Sequence, residues 1–185
     1  MPFNFEKLSV LLVEDTLPML RLMNAVLGTL GVRNIYTATS GERAFELFRK
    51  EAPDIVISDW HMEPIDGIEL TRMIRRDPLS PNRMAPIILI TGFSAVNRVA
   101  TARDAGVTEF MVKPFSANDL AKRLAYVINK PRDFIDAPDY FGPDRRRKAN
   151  PDFAGPFQRE EDGVETNGNE SGGGARKIRQ SPISS

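Results

Sequence analysis

The chain has no cysteine among its 185 residues. That excludes a disulfide framework, a thiolate metal site and a cysteine nucleophile. His61 is its single histidine, so no multi-histidine metal centre can form. Net charge is also missing, with 25 Lys and Arg set against 25 Asp and Glu. No global field therefore favours nucleic acid or an anionic membrane. No apolar stretch approaches the roughly 20 residues that span a bilayer. The first residues, Met1-Pro2-Phe3-Asn4-Phe5-Glu6, lack a basic segment followed by an apolar one, so no signal peptide is expected. A soluble cytoplasmic protein that binds neither DNA nor membrane is the expectation. The length suits one domain of ordinary size plus an extension.

What is present is a set of short apolar runs, each closed by a polar residue. Leu8-Ser9-Val10-Leu11-Leu12-Val13 ends at Glu14 and Asp15. Asp54-Ile55-Val56-Ile57-Ser58 ends at Asp59, Pro86-Ile87-Ile88-Leu89-Ile90 at Thr91, and Phe110-Met111-Val112 at Lys113. Helical periodicity separates them. Met19, Leu20, Met23, Val26, Leu27 and Leu30 recur at helical spacing after a candidate cap at Thr16 and a first-turn Pro18. Ser40 caps a second helix, and a third runs from about residue 67 to 76. A fourth, about 95–105, has few large apolar residues and should be the loosest. Ser116 and Asp119 form a box-like cap for a fifth. Strands alternating with helices predict a parallel sheet with helices on both faces.

In such a sheet, ligands bind outside the carboxyl ends of the strands. Four strands then deliver three acids, a hydroxyl and an amine to one crevice. Carboxylates so crowded repel each other unless a cation joins them. A hard divalent ion that takes oxygen ligands fits, and Mg²⁺ is the expected cofactor. A carboxylate beside Mg²⁺ can attack phosphorus and become an aspartyl phosphate. The lysine would neutralise phosphoryl oxygens, and the threonine hydroxyl would donate to one.

These residues resemble the receiver domain of CheY-type response regulators over residues 6–130. The motifs are Val13-Glu14-Asp15, Ser58-Asp59-Trp60-His61-Met62, Asp66-Gly67, Thr91-Gly92 and Val112-Lys113-Pro114-Phe115, in order and each tied to a strand end. The resemblance implies a flavodoxin-like (βα)5 fold with Asp59 as phosphoacceptor and Thr91 and Lys113 beside it. It implies Mg²⁺ held by Glu14, Asp15, Asp59 and the backbone carbonyl of His61. It also implies a switch pair of Thr91 and Phe110, and a cis bond between Lys113 and Pro114. The implied partners are a histidine kinase or phosphotransfer protein, and a downstream target on the face made by the fourth helix, fifth strand and fifth helix. Signalling of the chemotaxis or motility type follows. Pro64 stands one position later than in many relatives, and the switch aromatic is a phenylalanine, without a hydroxyl. Trp60 is expected to be partly exposed, and the His61 side chain to face solvent.

At Pro131 the composition changes. Residues 131–185 are rich in proline, glycine, asparagine and charge, and Ser171-Gly172-Gly173-Gly174 has a flexible-linker composition. This region reads as a mostly disordered tail. No second globular domain fits, so no DNA-binding or enzymatic output domain is expected. Within the tail, Tyr140-Phe141-Gly142-Pro143-Asp144-Arg145-Arg146-Arg147-Lys148 is followed by Phe153-Ala154-Gly155-Pro156-Phe157-Gln158-Arg159. The repeated order is aromatic, Gly-Pro, arginine. Guanidinium groups fork onto phosphates and the guanine edge, and aromatics stack on bases. The stretch resembles the arginine-rich tails of the Cle group of CheY-like proteins, which bind cyclic di-GMP. That resemblance implies a cyclic di-GMP site on Arg145, Arg146, Arg147 and Arg159.

Two rival readings remain at this stage. One is a Mg²⁺-dependent phosphatase of the haloacid dehalogenase type, although Glu14-Asp15-Thr16 is not the usual Asp-x-Asp after a first strand. The other is a cyclic-dinucleotide effector that works without phosphorylation. The leading reading is a phosphoacceptor signalling domain and not a turnover enzyme.

Overall fold

The computed structural model describes residues 5–92, 99–145, 175–180 and 183. Along the chain run β1 (Ser9–Val13), α1 (Leu17–Thr29), β2 (Asn34–Ala38), α2 (Gly41–Glu51), β3 (Ile55–Asp59) and α3 (Gly67–Arg76). Then come β4 (Ile87–Thr91), α4 (Val99–Ala105), β5 (Glu109–Val112), α5 (Ala117–Asn129), β6 (Phe134–Ala137), β7 (Tyr140–Pro143) and β8 (Arg176–Ile178). Five parallel strands form one sheet in the order β2-β1-β3-β4-β5. The alternation predicts the parallel sheet with helices on both faces, and the strand order is the flavodoxin-like (βα)5 arrangement that the resemblance implies.

Helices cover both faces, so the strands can be apolar throughout, and β3 and β4 are buried at every residue. Their period of two sorts side chains between two layers. Val10, Leu12, Ile55, Ile57, Ile88 and Ile90 meet Leu20, Met23 and Leu27 of α1 and Leu120 and Leu124 of α5. Leu11, Val13, Val56 and Ile87 meet Ala44, Phe45 and Phe48 of α2 and Leu70 and Ile74 of α3. Leu89 joins a smaller cluster with Ala102 and Ala105 of α4.

Ser40 caps α2 by accepting from the Arg43 N–H, and Asp66 caps α3 by accepting from that of Glu69. Ser116 and Asp119 form a full capping box on α5. Thr16 is the cap residue of α1 by backbone geometry, but its side chain makes no capping bond. Its hydroxyl donates to Asp15 Oδ1 instead, at 3.2 Å. Within the described residues α4 begins at Val99; the expected turn at 95–98 lies outside them.

The disorder expected from residue 131 does not hold for residues 134–143. β6 and β7 pair as an antiparallel hairpin, and β8 adds to the free side of β6. β7 packs on α3 and α4. Phe134 is fully buried, 5.1 Å from the Arg75 guanidinium, and Phe141 lies 3.9 Å beneath that of Arg83. Arg75 is itself fully buried and, among the described residues, has no carboxylate partner. It donates to the carbonyls of Gly106 (3.0 Å), Arg83 (2.7 Å) and Ala85 (2.8 Å). Burial lowers its pKa to about 9; Tyr140 opposes that shift and Arg83 adds to it. Strands of four residues carry too little periodicity to be read alone, and these are held by distant partners. Residues 146–174, with Arg146, Arg147 and Arg159, lie outside the described residues.

Candidate phosphoacceptor and metal site

The strand order reverses between β1 and β3, and that is where a doubly wound sheet opens its crevice. Backbone bonds hold the strand ends level there. Glu14 N–H donates to Ala38 O (3.1 Å), Trp60 N–H to Ile90 O (2.8 Å) and Lys113 N–H to Thr91 O (2.8 Å). Glu14 and Asp59 are consequently buried, while Asp15 at the rim is exposed. One carboxylate oxygen from each of the three lies within 4.8 Å of the others.

Lys113 reaches into this cluster from the end of β5. Its Nζ is 3.1 Å from both Glu14 Oε2 and Asp59 Oδ2. Burial on its own would depress the lysine pKa. Hydrogen bonds and charge from Asp59, then from Glu14, outweigh that and raise it above its ordinary 10.5. The ammonium is therefore charged across the neutral range. Its stabilising contribution is complete below the unfolded value and is lost only as pH rises through the higher folded one.

Three carboxylates and one ammonium leave the crevice with excess negative charge. Clustered oxygen donors with an exposed rim suit a small, hard, partly hydrated cation. Glu14, Asp15 and Asp59 thus fit Mg²⁺, which when bound neutralises charge on the acids and on an incoming phosphoryl group.

Thr91 is buried at the end of β4, where its hydroxyl donates to Gly92 O at 3.2 Å. Phe110 is half-buried and packs on the cluster of Trp60, Ile68, Leu89 and Ala102. The His61 side chain is exposed, stacked on Trp60 with ring centres 6.2 Å apart. The peptide bonds before Pro64 and Pro114 are both cis.

Trp60 departs from expectation. It is only 3% exposed. With Asp59 turned to the crevice, the next side chain turns to the opposite layer, where it meets the small Ala102 and Ala105 of α4. The indole fills that space. Sparse apolar content in the fourth helix was the signal that a large neighbour must compensate.

Gly67 is a second residue whose role the sequence did not reveal. Its N–H donates to Trp60 O at 3.0 Å, closing the loop that follows Asp59. A Cβ there would run into the Asp59 carbonyl oxygen and sit 2.5 Å from Leu89 Cδ1. Gly67→Ala should cost about 1–3 kcal/mol by overpacking and should slow phosphorylation of Asp59. Urea melts with an acyl phosphate labelling assay would show both; a wild-type value in both would remove the steric argument.

A family model for the response regulator receiver domain matches residues 10–125. The chain belongs to the response regulator receiver domain family. Among its relatives is the chemotaxis protein CheY-3 of Vibrio cholerae serotype O1. That protein is 30% identical over 125 residues, which span 68% of this chain and 95% of the relative. Solved structures agree. The chemotaxis protein CheY4 of Vibrio cholerae superposes with a TM-score of 0.60 at 27% identity, covering 65% of this chain and 98% of that one. A response regulator of Chloroflexus aurantiacus gives 0.61 at 27%, covering 67% and 100%. The receiver is a phosphoacceptor signalling module that uses Mg²⁺, and the haloacid dehalogenase reading finds no support. The family match ends at residue 125, so the β6–β7 hairpin lies beyond it. Among the described residues, no helix is long and apolar enough to cross a membrane.

Proposed function

We propose that this receiver switches by accepting a phosphoryl group on Asp59. The observation that carries the reading is Lys113 Nζ, 3.1 Å from Asp59 Oδ2 within a cluster of three carboxylates. An Asp59 carboxylate oxygen forms the new P–O bond as the donor's P–N bond breaks and the imidazole leaves. Lys113 exchanges its Asp59 contact for a phosphoryl oxygen, and the Thr91 hydroxyl leaves Gly92 O for another. The His61 backbone carbonyl would join Glu14, Asp15 and Asp59 in holding Mg²⁺. A phosphoryl group adds about −1.5 to −2 charges. The movement of Thr91 vacates space that Phe110 fills, and packing alone must favour that state because Phe110 has no hydroxyl.

The donor is a histidine kinase or phosphotransfer protein in the cytoplasm. A groove of about 550 Å³ beside Lys113, lined by Met19, Leu22, Met23 and Phe115, gives it an apolar seat. The output surface is α4, β5 and α5, where Phe110 sits. Trp60 reports on this chemistry, being the only tryptophan and adjacent to Asp59. Its fluorescence should change on titration with Mg²⁺, and Asp15→Ala should weaken that response at least tenfold in Mg²⁺ concentration. An identical titration in the variant would argue against metal at this site.

A second reading concerns the arginine run. Arg145 lies 3.9 Å over the Tyr140 ring and 3.1 Å from Asp104 of α4. Its first guanidinium is thus tethered beside the output surface. Arg145, Arg146, Arg147 and Arg159 form a cyclic di-GMP site whose occupancy adjusts docking to a target, a flagellar motor protein being one candidate. Calorimetry should show binding that Arg145→Ala with Arg146→Ala abolishes and Asp59→Asn weakens little. Equal binding by the double variant would make the run a linker.

A further inference from the structure

A cleft of about 490 Å³ opens between the β6–β7 hairpin and the connection from α3 to β4, away from the phosphoacceptor. Four separate pieces of chain wall it. Arg76 ends α3, Arg83 precedes β4, Asp136 and Tyr140 come from the hairpin, and Arg176 opens β8. Asp139 sits in the hairpin turn, where its carbonyl accepts from Arg76 at 3.3 Å. The volume lies within the usual range of small-molecule sites.

The charges in this cleft are unspent. Among the described residues, none of Arg76, Arg83, Arg176, Asp136 or Asp139 takes part in an ion pair. Asp136 and Arg176 face each other in the β6–β8 register without pairing. Arg83 is held in place, stacked at 3.9 Å on Phe141 with its Nε donating to Arg75 O at 2.5 Å. Fully buried Arg75 lies directly behind it and forms no ion pair among the described residues. The local field is positive and the guanidinium plane of Arg83 is pre-ordered.

A ligand that uses both signs must carry an anion and a donor-rich edge. Phosphate meets the first need, since guanidinium groups fork onto its oxygens. Guanine meets the second. Its N1–H and N2–H groups donate in parallel to one carboxylate, while its O6 and N7 accept from arginine. Adenine offers only its N6 amine there and cannot fork. The Phe141–Arg83 stack supplies a planar surface for a purine.

We propose that this cleft binds a guanine nucleotide, with Arg76, Arg83 and Arg176 on the phosphate and Asp136 or Asp139 on the base edge. The proposal deepens the reading of the arginine run as a nucleotide site, because Arg145 leaves the same hairpin. It places a folded pocket beside a run that otherwise offers only a string of cations. Occupancy would bridge α3, the hairpin and β8, which already pairs with β6.

The test uses the full chain and calorimetry with cyclic di-GMP, GMP and AMP. Arg76 and Arg176 are exposed, so Arg76→Ala with Arg176→Ala should leave circular dichroism and thermal melting unchanged. The pair should weaken GMP and cyclic di-GMP at least about tenfold, as lost charged hydrogen bonds require. Asp136→Asn with Asp139→Asn should bring GMP and AMP affinities together. Wild-type GMP and cyclic di-GMP binding by the Arg76/Arg176 variant would overturn the cleft and leave the arginine run standing. Cyclic di-GMP binding that survives Arg145→Ala with Arg146→Ala, but not loss of Arg76 and Arg176, supports the cleft and removes the arginine run. No heat from any of the three ligands overturns both. Equal GMP and AMP affinities in the wild type overturn the base assignment.

Discussion

Asp59→Asn should abolish acyl phosphate formation. With Mg²⁺ and a small phosphodonor, the wild type should acquire label that is stable in acid and released by hydroxylamine, and the variant should acquire none. The expected effect is complete because the amide replaces the attacking atom itself. Asn keeps the size and polarity of the side chain, so the Trp60 N–H that donates to Asp59 Oδ1 at 2.9 Å retains an acceptor. Folding should be intact, and urea melts should move by less than about 1–2 kcal/mol, a reduced Lys113 contact being the main change. The comparison with Asp15→Ala separates roles. Asp15 is exposed at the rim, so its loss should weaken Mg²⁺ response and slow labelling without preventing it at high Mg²⁺. Label on Asp59→Asn at the wild-type level would place the acceptor elsewhere. Glu14 is a poor substitute, since it is buried with one oxygen on Lys113 and the other accepting from the Thr16 N–H.

The site was legible in the sequence because each of its members ends an apolar run. Glu14, Asp15, Asp59, Thr91 and Lys113 are separated by up to 99 residues, yet a parallel sheet brings every strand end to one edge. Fold and charge cluster are therefore one inference. The capping box at Ser116 and Asp119 was equally readable, because its two bonds close within four residues. Trp60 was misread because burial there depends on the small residues of α4, which pack against it across the layer. Thr16 looked like a capping side chain, but neighbouring Asp15 takes its hydroxyl. The hairpin was illegible for a related reason. Phe134 carries no local pattern in the Pro-rich tail and Phe141 reads as part of the aromatic, Gly-Pro, arginine repeat, and nothing local says that Arg75 and Arg83 wait for them.

That hairpin makes the second large prediction. Phe134→Ala should destabilise the protein by about 3–5 kcal/mol, the range for a buried aromatic cut back to alanine. Phe134 has no exposed surface, and its ring covers the guanidinium of Arg75 at 5.1 Å. Removing it opens a cavity against a cation that was shielded from water on that side. Arg75 in turn ties together Gly106 at the end of α4 and Ala85 before β4, so the damage should spread beyond the hairpin. Amide exchange should rise at residues 83–87 and 105–108, outside the hairpin, and stay low at residues 55–59. A hairpin that merely rested on the surface would give a different result. Its loss would cost less than about 1 kcal/mol and would leave exchange at Gly106 and Thr108 unchanged. Thr108 gives a sensitive reading, because its hydroxyl accepts from the Ile87 N–H at 3.1 Å and from Arg75 at 3.4 Å. If those amides loosen together with the hairpin, the receiver core and its C-terminal extension are one cooperative unit. The hairpin then couples to α4 through Arg75 in addition to the direct Arg145–Asp104 contact.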